Sequence, residues 1–285
     1  MKLFLDTANL DHIKDAVSWG IIDGVTTNPS LIKQTAASLR ATPDEMDMES
    51  YIKNILAIAG RTRPVSLEVA ALSSEEMIEQ GMHLYETFNQ VTGNVVIKIP
   101  VCTVNGLGEG GLFDGLKAIR RLGEERIPVN ATLVFTPEQA LLAAKAGAEY
   151  VSPFAGRVDD RIRRMAGMEF DKTDYFPLDG IMIGDEPGMI VEDHGLISGI
   201  DLVSQIAAIF DQYKLETEII AASIRNPQQV REVAHTGAHI ATMPFGVLLD
   251  MVRHPGSADG IDAFTGDLVD EYLALFSQQN GEPGG

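Results

Sequence analysis

Short runs rich in β-branched and aromatic residues alternate with amphipathic helical stretches along this 285-residue chain, and that alternation restricts its fold more than any other feature. Eight such runs stand out, at 2–6, 24–27, 65–70, 95–99, 129–135, 150–154, 218–223 and 239–244. They are short and apolar, as strands covered on both faces are. Helical patterns lie between them, clearest at 11–19, 75–88, 112–121, 137–146, 199–213, 227–236 and 247–253, with a last one at 260–276. Strict β/α alternation predicts a parallel sheet with helices outside, and eight units in roughly 250 residues fit a closed (β/α)8 TIM barrel better than an open sheet. One barrel domain is expected over 1–276. It carries a long loop insertion at 159–197 and a C-terminal helix at 260–276, and 277–285 form a Gly/Pro-rich disordered tail.

A barrel carries its chemistry at the C-terminal ends of its strands. The polar residues there are Asp6, Asn28, Glu68, Lys98, Thr132, Ser152 with Arg157, and Ser223 with Arg225. Asp6 alone could equally cap a helix, but seven strands sending a polar group to one rim point to an active site. Lys98 is the most informative of them. It interrupts Val95-Val96-Ile97-Lys98-Ile99-Pro100, where an ammonium loses hydration and the neutral amine is favoured. A neutral amine is a nucleophile, and its usual use is Schiff-base formation with a carbonyl. The plain alternative is a lysine at a strand end that reaches into water.

Arg157 and Arg225 follow their strands closely. Each alone could form a surface ion pair, but flanked by Ser152 and Ser223 they suit a sugar-phosphate seat. The chain has 22 basic and 41 acidic residues, so its net charge of −19 disfavours nucleic acid as a partner. Cys102 is the single cysteine, which rules out an intrachain disulfide, fits a reducing cytoplasm and reads as apolar filler. No apolar run reaches the ~18 residues that a membrane span needs, and the strand-like sequence at residues 2–5 leads to the expectation of no signal peptide.

Gly106-Leu107-Gly108-Glu109-Gly110-Gly111 spells G-x-G-x-x-G and names a rival, an NAD(P)-dependent oxidoreductase. The loop from Pro100 to its first glycine is too long for a tight strand–turn–helix, and strand 129–135 ends without the acidic residue that would hold a ribose. His235 and His239 lack an H-E-x-x-H frame, so no metal site is expected there. His12, His83, His194 and His254 are scattered, and Trp19 reads as helix packing. A non-catalytic sugar-phosphate sensor is a further alternative, but it would not need a lysine in an apolar strand.

Taken in order, Phe4-Leu5-Asp6-Thr7-Ala8, Gly24-Val25-Thr26-Thr27-Asn28-Pro29-Ser30-Leu31, Lys98-Ile99-Pro100, Asn130-Ala131-Thr132-Leu133-Val134-Phe135, Ser152-Pro153-Phe154-Ala155-Gly156-Arg157 and Ala221-Ala222-Ser223-Ile224-Arg225-Asn226 resemble the transaldolase family. The resemblance runs from residue 1 to about 255. Within its sister group, the fructose-6-phosphate aldolases, glutamine stands at the position of Glu68 and tyrosine at that of Phe154, and the asparagine matching Asn130 is absent. All three positions here are of the transaldolase kind.

The resemblance implies a barrel of permuted strand order, a covalent mechanism without cofactor or metal, and a cytoplasmic homo-oligomer of the pentose phosphate pathway. Sedoheptulose 7-phosphate or fructose 6-phosphate would be the donor, and erythrose 4-phosphate or glyceraldehyde 3-phosphate the acceptor. Lys98 would form the Schiff base, Asp6 would move the C4 hydroxyl proton, and Glu68 with Thr132 would position a water. Asn28 and Asn130 would hold the dihydroxyacetone hydroxyls, with Thr27 beside them and Ser152 in support. Arg157, Ser223 and Arg225 would bind phosphate, and Phe154 would keep the pocket dry. An aldolase that releases free dihydroxyacetone is the nearest alternative.

Overall fold

A computed structural model describes residues 1–40, 47–105, 108–184 and 188–277. Among these residues the strands, in chain order, are β1 (Lys2–Asp6), β2 (Gly24–Thr26), β3 (Val65–Glu68), β4 (Val95–Pro100), β5 (Val129–Val134), β6 (Tyr150–Pro153), β7 (Met182–Ile183), β8 (Met189–Ile190), β9 (Glu218–Ala221) and β10 (Ile240–Met243). Eight of them close into one parallel barrel, and β7 and β8 pair antiparallel by themselves. Around the barrel each strand stands beside the next in chain order, and β1 meets β10 to close it. A circular shift of the permuted kind would leave this order of neighbours unchanged.

The helices are α1 (Leu10–Ser18), α2 (Pro29–Arg40), α3 (Met48–Ala59), α4 (Ser74–Thr92), α5 (Asp114–Glu124), α6 (Pro137–Ala146), α7 (Ala155–Met165), α8 (Gly199–Tyr213), α9 (Pro227–Thr236), α10 (Phe245–Asp250), α11 (Pro255–Gly266) and α12 (Asp270–Ser277). By contacts the chain divides into residues 1–248, which hold the barrel, and 249–285. In the second unit α11 and α12 leave Phe264, Leu275 and Phe276 exposed, and Tyr272 meets Phe276 edge to face at 5.2 Å. No helix among the described residues is long and apolar enough to cross a membrane.

The alternation of side chains along each strand sorts the residues into two layers. Leu5, Val25, Val65, Leu67, Val95, Ile97, Ile99, Val129, Ala131, Val151, Ile219 and Ala241 turn outward into the main core under the helices. Burying each of the larger aliphatic chains there is worth about 1.5–3 kcal/mol. The residues between them face the barrel interior. At its floor Phe4, Ile220 and Ile240 pack with Tyr150 in a separate apolar cluster. A Cβ on Gly24 would lie 2.5 Å from the Phe4 ring, so the glycine makes room for that plug. One pleat higher on the same interior face stand Asp6, Thr26, Lys98, Asn130, Ser152 and Thr242. The interior is therefore apolar below and polar above, and the polar end is the C-terminal end of every strand.

Several sequence expectations need correction. The segment 159–197 does not begin as a loop, because α7 runs on through Met165. Its apolar positions Val158 and Ile162 are four apart and buried, but the charges between them hide the period. The irregular stretch starts at 166 and contains the β7–β8 ladder. The expected helix 260–276 is two helices, divided at 267–269, and the first starts at Pro255 with His254 as its N-cap. Residues 278–285 lie outside the described residues, as do Gly106 and Leu107 of the glycine-rich motif. β4 ends at Pro100 and α5 starts at Asp114, so this connection is not the tight turn of a dinucleotide site.

Candidate active site

Strand register builds the site. β3 pairs with β4 so that Glu68 stands opposite Lys98, and β4 pairs with β5 so that Lys98 stands opposite Asn130 and Pro100 opposite Thr132. Three neighbouring strands thereby bring an acid, an amine and an amide to one level. Lys98 Nζ lies 2.9 Å from Glu68 Oε2 and donates to the carbonyl of Thr27 at 3.0 Å. Both side chains of the pair are largely buried, at 6% and 12% exposure. The sequence reading placed Glu68 on the same rim as Lys98 and gave it a water to position, without pairing the two side chains. The structure adds that they are in direct contact across adjacent strands, which strand sequence alone does not reveal. Glu68 sits where it can accept the proton that the ammonium must shed before attacking a carbonyl.

Asp6 is the second buried acid. Thr26 Oγ1 donates to its Oδ1 at 2.9 Å, and Thr26 in turn meets the Thr242 hydroxyl at 2.6 Å. Burial pushes the Asp6 carboxyl above the ordinary aspartate value, while the nearby Lys98 charge and the Thr26 bond oppose that rise. A carboxyl whose protonated form is favoured by burial can take up a proton and return it.

The amides and hydroxyls are largely committed to one another. Ser152 Oγ donates to Asn130 Oδ1 at 2.7 Å, and Asn130 Nδ2 reaches Ser66 Oγ at 3.4 Å. Thr27 Oγ1 donates to the carbonyl of Ser66 at 2.8 Å. Asn28 uses its Oδ1 to accept from the Leu31 N–H at 3.1 Å, which leaves its amide N–H groups as donors to a ligand. Thr132 Oγ1 is the exception: it is fully buried and has no partner among the described residues. Such an orphan hydroxyl marks a place for a water or a substrate oxygen.

Above these groups lies a cavity of about 260 Å³ lined by eight of the twelve anticipated residues, Asp6, Asn28, Lys98, Ser152, Phe154, Arg157, Ser223 and Arg225. Glu68, Thr27, Asn130 and Thr132 stand behind this lining as described. Arg225 Nη2 pairs with Asp160 Oδ2 at 3.1 Å, and its buried Nε has no partner among the described residues. The exposed Arg157 lies over the Phe154 ring at 4.9 Å, a cation–π contact worth about 0.5–1 kcal/mol. Gly156 makes this crowding possible, since a Cβ there would stand 2.1 Å from the Ser223 carbonyl and 2.7 Å from Arg225 Nε. Ser223, on the cavity lining, holds φ 62°, an unusual left-handed backbone for serine.

Sequence reasoning missed Thr26, Ser30, Thr242 and Lys172, which also line the cavity, and Asp160, which holds Arg225. Thr26 and Thr242 were within reach, because both are polar residues on the interior face near the ends of their strands. Lys172 carries no local signal, since its place depends on how the stretch after α7 folds back. Among the histidines, His12 stacks on Phe245 at 4.3 Å, with Trp19 on the same ring at 5.5 Å. His239 Nδ1 accepts from the Ile219 N–H and His254 caps α11, so these rings serve packing and caps.

Comparisons with known proteins agree with this architecture. A family model described as transaldolase/fructose-6-phosphate aldolase matches residues 3–279. A protein of Prosthecochloris aestuarii named "probable transaldolase" is 45% identical over 268 residues, covering 94% of this chain and 97% of that protein. Proteins of the same name from Hydrogenobaculum sp. (44% over 267 residues; 94% and 96% covered) and Clostridium perfringens strain SM101 (39% over 278 residues; 98% and 100% covered) are also similar.

Proposed function

The chain belongs to the transaldolase/fructose-6-phosphate aldolase family, and from that premise we propose that it transfers a dihydroxyacetone unit between sugar phosphates through a Schiff base on Lys98. The observation that carries this reading is the buried Lys98–Glu68 pair at 2.9 Å, with a second buried acid, Asp6, on the same cavity. Glu68 takes a proton from the ammonium, and the amine attacks C2 of a ketose phosphate. Loss of water from the carbinolamine gives an iminium ion, with Glu68 and the unpartnered Thr132 hydroxyl handling that water and its protons. The C3–C4 bond then breaks. Its electrons pass into the iminium to form an enamine, and Asp6 takes the C4 hydroxyl proton as the aldehyde leaves. An incoming aldehyde reverses these steps, and hydrolysis frees Lys98.

Asn28 and the Asn130–Ser152 pair supply the polar contacts for the three-carbon unit, with Thr27 fixing Lys98 through its carbonyl. The transferred unit carries no phosphate, so one phosphate seat serves both the departing and the arriving aldehyde. Arg157, Arg225 and Ser223 fit that seat, and Phe154, packed on Phe135 at 5.9 Å, walls it off from water. Sedoheptulose 7-phosphate or fructose 6-phosphate as donor, with erythrose 4-phosphate or glyceraldehyde 3-phosphate as acceptor, places the enzyme in the pentose phosphate pathway. Cytoplasmic residence and self-association belong to the same reading. Exposed Phe264, Leu275 and Phe276 support self-association.

The test is transfer from fructose 6-phosphate, run with and without erythrose 4-phosphate. Donor consumption that depends on the acceptor is expected. Release of free dihydroxyacetone without acceptor would make the protein an aldolase instead, and no consumption in either case would overturn the reading.

A further inference from the structure

The phosphate lies at the end of these substrates remote from the carbon that Lys98 attacks, and what holds that end extends beyond the strand ends. The stretch after α7 is fastened to the barrel at several points. Arg163 Nη2 donates to the Asp174 carbonyl at 2.8 Å, and its guanidinium lies over the rings of Phe170 and Phe176 at 4.9 and 5.0 Å. Tyr175 O–H donates to Glu232 Oε1 at 2.7 Å, and Phe176 is buried in the core. Asn226 Nδ2 donates to the Thr173 carbonyl at 3.3 Å. Asn226 follows Arg225 in the chain and caps α9, so the backbone beside Lys172 is tied to the residue next to a cation of the phosphate seat.

Lys172 lines the same cavity as Arg157 and Arg225, and among the described residues it forms no ion pair. A charge count shows what it adds. Asp160 pairs with Arg225 at 3.1 Å and also stands 3.9 Å from the buried Arg163, so these three groups keep one positive charge, shared between Arg225 at the lining and Arg163 outside it. Arg157 supplies one positive charge. A phosphate monoester carries about −1.5 to −2 at neutral pH, so Arg157 and a partly neutralised Arg225 leave it short of balance, and Lys172, a lining cation with no ion pair among the described residues, makes up the difference. The remaining lining carboxylate, Asp6, belongs to the chemical end of the cavity.

We infer that Lys172 binds the phosphate of the sugar phosphate, which makes the segment between α7 and α8 part of the substrate site and a determinant of preference for phosphorylated over free sugars. The inference rests on the function proposed above, and its test is chosen to separate the two.

Inorganic phosphate is titrated into the wild-type protein and into Lys172→Met and Lys172→Arg, followed by calorimetry or ³¹P NMR at low salt. In parallel, the ratio of kcat/KM for fructose 6-phosphate to that for free fructose is measured. Loss of one contact to a charged group is expected to weaken phosphate binding in Lys172→Met roughly tenfold and to lower the ratio by a similar factor, with Lys172→Arg restoring most of both. Phosphate binding that is the same in the wild type and Lys172→Met overturns the inference, as does a wild type that binds none. A purely structural role would lower activity on both sugars together and leave the ratio unchanged, which overturns it equally. Should the wild type transfer no three-carbon unit, the proposed reaction falls, but the phosphate titration still decides the place of Lys172.

Discussion

Lys98 and Glu68 meet because two adjacent strands share a register, and their pairing makes separable predictions at the level of single groups. Lys98→Ala should abolish both turnover and borohydride trapping of substrate. Glu68→Gln keeps the shape but removes the proton acceptor, so kcat should fall by about 10²–10⁴-fold while substrate binding changes little, as read from steady-state kinetics. A Glu68→Gln enzyme with near-normal kcat would remove Glu68 from proton transfer. Asp6→Asn should uncouple the steps: it would still form a reducible adduct on Lys98 but would not cleave the C3–C4 bond. Loss of the adduct would instead tie Asp6 to Schiff-base formation. At this scale the sequence displays Lys98 plainly, because an ammonium in a β-branched run is anomalous. It puts Glu68 on the same rim but does not display the direct pairing, because facing across strands is a property of register and not of neighbours in the chain.

Helix limits follow local chemistry where caps are strong. α6, α8 and α9 occupy the spans that the sequence predicts, since Thr136, Ser198 and Asn226 accept from the first-turn N–H groups and Gly147 and Gly237 close two of them at φ 98° and 88°. α7 is harder to read. No side chain caps it, and its first turn begins Ala155-Gly156-Arg157 directly after a strand. That start is dictated by packing on the β9 end, where Gly156 touches the Ser223 backbone. Gly156→Ala is therefore expected to raise KM for sugar phosphates by displacing Arg225, and to lower stability by about 1–3 kcal/mol through overpacking. Kinetics and a denaturation midpoint check both. An unchanged KM would mean that α7 shifts as a body without disturbing the phosphate seat. The stretch after α7 was legible only as long and charged, because what folds it back onto the barrel is a set of contacts to Asn226 and Glu232 that are distant in sequence, together with the nearby Arg163.

For the molecule as a whole, pH enters through Asp159 of α7, which is hydrogen-bonded to the start of α8 and to Gln229 of α9. Burial pushes its carboxyl up from 3.8 to about 7, although the Gly199 N–H and the Gln229 amide each donate to it at 2.7 Å and oppose the rise. Between those values the folded protein holds a proton that the unfolded chain has lost, so this group's contribution to stability declines as pH climbs through that window. Asp159→Asn cannot titrate, so wild-type stability relative to the variant should fall as pH rises from about 4 to 7, by a few kcal/mol at most. A pH-independent difference in unfolding free energy would show that the two donors keep Asp159 ionised throughout. The barrel itself was evident from eight β/α repeats, whereas its division of labour, with an apolar plug around Phe4 below and polar groups above, emerges only when the strands close. At the polar end Lys98, the proposed Schiff-base amine, stands paired with the largely buried Glu68 carboxylate. Intact-protein and peptide mass spectrometry after incubation with fructose 6-phosphate and borohydride tests this most directly. The account predicts one reduced three-carbon adduct per chain, located on Lys98 and missing from Lys98→Ala; an adduct on another lysine, or none, would contradict it.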